Sequence, residues 1–101
     1  MNLRYAPRAL RDIDEILAYI NARSPQGARN VSLAIEHSIG MCAQNPATGS
    51  KADEPDLYRR TLGKYRYTIF YRVDLTADVV EIARVVHSAR VKNLGALPED
   101  G

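Results

Sequence analysis

Three patterns of apolar and polar positions succeed one another along this chain. Leu10, Ile13, Leu17 and Ile20 recur at intervals of three and four, with Ile16 beside them, which is the spacing of one apolar stripe on an α-helix. Ala28, Val31, Ile35, Ile39 and Cys42 form a second stripe and predict a second helix. From Tyr65 to His87 the period falls to two. Tyr65–Val73 and Val79–His87 are rich in β-branched and aromatic residues and read as strands joined by the polar run Asp74–Asp78. Both alternating faces of this hairpin carry apolar residues, which places it near the middle of a sheet.

Punctuation supports these elements. Pro7 suits the first position of a helix, and Ser24-Pro25 supplies an N-cap followed by the same kind of start. Asn45-Pro46 ends the second helix. The short break between the helices implies an antiparallel helical hairpin. Leu3–Tyr5 is a short strand candidate. Leu57–Leu62 is another, turned into Tyr65 by Gly63-Lys64. Residues 46–56, P-A-T-G-S-K-A-D-E-P-D, read as a polar loop and the most mobile segment. The order is β-α-α-β-β-β. It implies an α+β fold, a two-helix antiparallel hairpin packed on one face of a small, mainly antiparallel sheet. Residues 1–90 make a single domain and 91–101 a C-terminal tail. The helices cover one sheet face. The other, carrying arginines with Val80, Ile82 and Val86, is expected to lie uncovered and to serve as a binding surface.

Composition narrows the class. A chain of 101 residues, 46% apolar and 26% charged, is an ordinary globular domain with one modest core. No apolar run approaches the roughly 20 residues of a membrane span, and the N-terminus has no leader-like apolar segment. The single cysteine excludes an internal disulfide and fits a reducing cytoplasm. Net charge is +2, unevenly placed: eight basic and three acidic residues between Leu57 and Lys92 give +5 there and leave −3 elsewhere. The sheet half is therefore expected to face an acidic partner.

There is no phosphate-binding glycine loop and no metal-type Cys/His spacing, so neither metal nor cofactor is expected. Asp12, Asp14 and Glu15, near the start of the first helix, read as a solvated face favoured by the helix dipole. Cys42 reads as a small core residue and His37 as exposed. Arg59, Arg60, Arg72 and Arg84 are of the type that recognises phosphate or carboxylate. His87, with Arg84 and Arg90 three residues to either side, suits either proton transfer or a hydrogen bond that holds the chain end. Tyr58, Tyr67 and Tyr71 suit base stacking or cross-strand packing, the latter favoured for Tyr67 and Tyr71.

The element order, A-L-R-D-I-D-E-I-L-A-Y-I in the first helix, and the strands L-Y-R-R-T-L-G-K-Y-R-Y-T-I-F-Y-R-V and V-V-E-I-A-R-V-V-H-S-A-R resemble the RelE/ParE superfamily of toxins. Tyr67–Val73 and Arg84–Arg90 resemble its ParE branch, whose members stabilise plasmids as part of toxin–antitoxin pairs. The resemblance implies a cytoplasmic toxin neutralised by a cognate antitoxin in a hetero-oligomer. It implies DNA gyrase as the target, no membrane partner and no direct DNA binding by the toxin alone. The alternative is ribosome-dependent cleavage of messenger RNA, as in RelE-like members. Those commonly carry an arginine where this chain has Thr68, and some carry a tyrosine at or soon after the position following His87, where this chain has Ser88. No catalytic residue is assigned. Under the nuclease alternative the candidates are His87, Arg84 and Arg66. Under the preferred reading Arg59, Arg60, Arg72, Arg84, His87 and Arg90 form the target or antitoxin surface.

Overall fold

The computed structural model describes residues 1–52 and 54–91. Strand β1 (Asn2–Tyr5) leads into helices α1 (Pro7–Asn21) and α2 (Pro25–Gln44), then a 3-10 turn (Pro46–Thr48) and a two-residue strand β2 (Ser50–Lys51). Strands β3 (Leu57–Thr61), β4 (Tyr67–Asp74) and β5 (Val79–His87) follow, and a second 3-10 turn spans Ser88–Arg90. The sheet order is β1-β5-β4-β3-β2, antiparallel throughout except that β1 lies parallel to β5. The α+β arrangement is the one the periodicities imply. The polar segment 46–56 differs from its reading as a plain loop: it holds a 3-10 turn and an edge strand too short for a pattern of two to register.

Helix ends follow local chemistry. Pro7 opens α1, and Ser24 Oγ accepts the Gly27 N–H at 2.9 Å to cap α2. On α2 the stripe of Ala28, Val31, Ile35, Ile39 and Cys42 is buried as expected. On α1 the outcome differs. Leu10 is half exposed, and the buried positions are Ala9 and Asp12, with Ile13, Ile16, Leu17 and Ile20 packed against the core. Asp12 is therefore no part of a solvated face. The acidic residues of α1 also lie beyond its first turn, where the dipole acts most strongly.

The helices pack on Ile69, Tyr71, Val73, Val80, Ile82 and Val85. The opposite face is not bare. Leu57 and Phe70 have no exposed surface there, and with Ala52, Ala83 and Val86 they form a second cluster against which Val91 packs. Ala52 donates its N–H to Leu57 O at 2.9 Å, which brings the end of β2 against the start of β3 beside this cluster. The expectation of an uncovered apolar face is thus corrected.

The alternation along β5 is corrected with it. Tyr71 pairs with Ile82 and Phe70 with Arg84, so Ala83 is skipped as a bulge. After the bulge Val85 faces the helices and Val86 faces away, while Val80 and Ile82 lie on the helix side. One extra residue resets a pattern of two, and nothing local in V-V-E-I-A-R-V-V-H announces it.

Candidate functional site

The bulge delivers Arg84 inward. Its Nε donates to Asp12 Oδ2 at 2.8 Å and its Nη2 to Oδ1 at 3.2 Å. Asp12 Oδ2 also accepts the Val85 N–H at 3.0 Å, and Arg8 Nε lies 3.2 Å from Oδ1. Arg84 and Asp12 are 6% and 5% exposed, so this is a buried ion pair that joins α1 to the bulge. Arg84 does not present its charge on an open sheet.

The other basic candidates do not share one surface. Arg72 lies 3.5 Å from Glu54 in a part-exposed pair at the hairpin-turn end of β4, the kind of contact worth about 0–1 kcal/mol. Arg66 and Arg90 are exposed. His87 is partly exposed; its ring meets Tyr67 edge-on at 5.6 Å and its Nδ1 accepts the Ala89 N–H at 3.2 Å. Nδ1 is thereby engaged in holding the turn that leaves β5.

Arg59 and Arg60 do come together. As neighbours on β3 they leave by opposite faces. Arg59 lies opposite Phe70 on the face away from the helices, and Arg60 opposite Ile69 on the helix side. Arg60 reaches Thr48, donating to Oγ1 at 3.0 Å. Both arginines line an open cleft of about 490 Å³ with Thr48, Ser50, Thr61, Thr68 and Ser88. Thr61 pairs with Thr68 across the strands, and the hydroxyls of Thr68 and Ser88 share a hydrogen bond of 2.9 Å. Among the described residues no carboxylate, imidazole, amine or phenol lines this cleft.

Tyr71 anchors the cleft wall from within the core. Its ring is fully buried and stacks on Tyr58 at 5.6 Å, and its hydroxyl donates to Pro46 O at 2.7 Å. Burial first, then the neighbouring Cys42, pushes that hydroxyl up to about 12. It therefore remains a donor at neutral pH. The turn it holds packs so closely that a Cβ on Gly49 would collide with the Tyr71 hydroxyl and come within 2.8 Å of Arg59 O. Gly49→Ala is expected to lower stability by about 1–3 kcal/mol, the range for overpacking. Urea unfolding measures this, and adding Tyr71→Phe should return part of the loss by removing the atom struck first. An unchanged midpoint in Gly49→Ala would place the turn elsewhere.

Sequence reasoning found Arg59 and Arg60 but missed the hydroxyls beside them. Thr61 and Thr68 alternate in phase with Arg59 and Phe70, so the strand pattern carried that signal. The Asp12–Arg84 pair left a trace at Arg84, a charge set within the apolar run from Ile82 to Val86.

Comparison with known proteins fixes the family. Residues 3–92 match the model of the ParE toxin of type II toxin–antitoxin systems. The chain belongs to the ParE toxin family. The Sinorhizobium fredii protein Y4kP is 34% identical over 86 residues, covering 85% of this chain and 86% of its own. A chain of the chromosomal ParDE system from P. aeruginosa superposes with a TM-score of 0.73 at 20% identity, covering 86% of this ParE-family chain and 95% of its own. The isolated E. coli RelE toxin superposes at 0.64 with 17% identity, over 90% of this chain and 87% of RelE. At those identities the structural matches show a common fold and nothing finer. The ParE-family chain is accordingly a toxin of the type II toxin–antitoxin class.

Proposed function

We propose that this ParE-family toxin arrests growth by inhibiting DNA gyrase without cutting nucleic acid, and that a cognate antitoxin holds it inactive in the cytoplasm. The observation that supports a non-cutting toxin is the composition of the cleft. Cleaving a phosphodiester by acid–base chemistry needs a proton donor and a proton acceptor near the scissile group. The cleft offers guanidiniums and hydroxyls, and His87 gives its Nδ1 to the chain turn. Tyr71, the strand tyrosine, is sealed in the core.

A groove between the helices, lined by Leu17, Ala28, Arg29 and the exposed Leu33, suits the apolar and acidic side chains of an antitoxin segment that folds on contact. Arg59, Arg60, Arg72 and Arg90 offer charge to partners at separate places on the surface; Arg84 and His87 serve by holding α1 and the end of β5. Among the described residues no helix is long and apolar enough to cross a membrane.

Two parallel assays test the target. Purified toxin is added to gyrase supercoiling reactions and to translating ribosomes with mapping of message ends. Loss of supercoiling with intact messages is the expected result. Cut messages with normal supercoiling would replace this reading with ribosome-dependent cleavage, the activity for which His87, Arg84 and Arg66 would then be examined.

A further inference from the structure

We infer that the Arg59–Arg60 cleft is a binding site for one phosphate group. The inference goes beyond the choice of target and holds for a gyrase-directed or a ribosome-directed toxin alike.

Three observations carry it. Arg59 is only partly exposed, yet among the described residues it makes no hydrogen bond or ion pair through its side chain. A guanidinium held at a cleft wall without an acceptor is a ready anion contact. Arg60 commits one N–H to Thr48 Oγ1 and keeps its others for a ligand. The Thr48 hydroxyl itself donates to Asn45 O at 2.7 Å, so Thr48 fixes Arg60 rather than serving as a donor to the ligand.

The second observation is the set of neutral donors. Thr61 is exposed at the rim, and the Thr68–Ser88 hydroxyl pair uses one proton internally and leaves one to donate outward. The third is charge: no acidic residue lines the cleft among the described residues, so nothing there offsets the two arginines.

Geometry selects the class of anion. A carboxylate is planar and is best met by one guanidinium in a fork. Here Arg59 shares its face of β3 with Thr61 and Thr68, and Arg60 reaches the cleft from the other face beside Thr48. Donors spread around a volume match the oxygens of a tetrahedral phosphate. The cleft is open, so the phosphate can be free or carried by a nucleotide.

Backbone-amide NMR titration of the whole chain tests this, with inorganic phosphate, adenosine 5′-monophosphate and acetate as separate probes at fixed ionic strength. Saturable shifts are expected at Thr61, Thr68 and Ser88 with phosphate, and weaker ones with acetate. Arg59→Gln should weaken phosphate binding about tenfold, as losing a charged hydrogen-bonding partner does. Arg66→Gln, which removes the same charge from an exposed position outside the cleft, should change it less than about twofold. The wild-type spectrum outside the cleft controls for folding, and Arg60→Gln provides a second variant. Tighter binding of the nucleotide than of phosphate identifies a nucleotide as the source, and equal binding identifies free phosphate; both support the site. Equal affinity for acetate and phosphate, equal losses in Arg59→Gln and Arg66→Gln, or shifts scattered over every arginine would overturn it.

Discussion

Asp12→Ala should cost about 3–5 kcal/mol of folding stability, the range for breaking a buried ion pair by removing one partner. The carboxylate accepts from Arg84 twice and from the Val85 backbone once, and it also faces Arg8. Its removal takes a close ionic partner from two guanidiniums and leaves the Val85 N–H without its acceptor at the bulge. A domain of this size has roughly 5–15 kcal/mol in total, so a single atom group on α1 would consume a large part of it. The check is urea denaturation followed by circular dichroism. Asp14→Ala, two residues along and exposed, should stay within about 0.5 kcal/mol. If the two variants unfold together, the ion pair is not what joins α1 to β5. Replacing Asp12 and Arg84 together by apolar residues should cost less than Asp12→Ala, because the Arg84 charge is then removed along with its carboxylate.

Phe70→Ala is the second large effect. Truncating a fully buried phenylalanine costs about 3–5 kcal/mol. Phe70 sits on the face away from the helices, among Leu57, Ala83 and Val86. If that face were open, the ring would already be wet and its loss would cost little. Leu75→Ala at the exposed β4–β5 turn gives the comparison, with about 0.5 kcal/mol or less expected. A Phe70→Ala midpoint close to that of Leu75→Ala would restore the picture of a bare sheet awaiting a foreign chain.

These two positions show where the sequence was legible. The helical stripes, the Ser24 cap, the proline starts and stops and the β4–β5 hairpin are local signals, because each is written in residues three or four apart or in strict alternation. The fold class follows from them. Asp12 was misjudged because its partner lies 72 residues away, and spacing along one helix cannot name a distant guanidinium. The second sheet face was misjudged because Ala52, set in a polar-looking segment, and Val91, past the last strand, join its cluster, and neither belongs to a strand pattern. The bulge at Ala83 parts Val86, which does face away from the helices, from Val80 and Ile82, which unbroken alternation had placed beside it. Of the cleft, Arg59 and Arg60 were visible as charges, but the turn that brings Thr48 beside them depends on the Tyr71 hydroxyl and the absent Cβ of Gly49. Those are contacts across the fold and leave no periodic trace.

The pairing of β1 with β5 has a consequence for synthesis. Asn2 meets Val79 and Tyr5 meets Ile82, so the first strand made has no neighbour until the last has emerged. The ribosome releases the chain from its N-terminus onward, and pairing over such separations is slow to form. A nascent copy therefore holds its helices without a finished sheet beneath them until β5 has left the ribosome. The toxin fold is complete only once that strand has joined the sheet, so β1 and the helices wait on the part of the domain made after them.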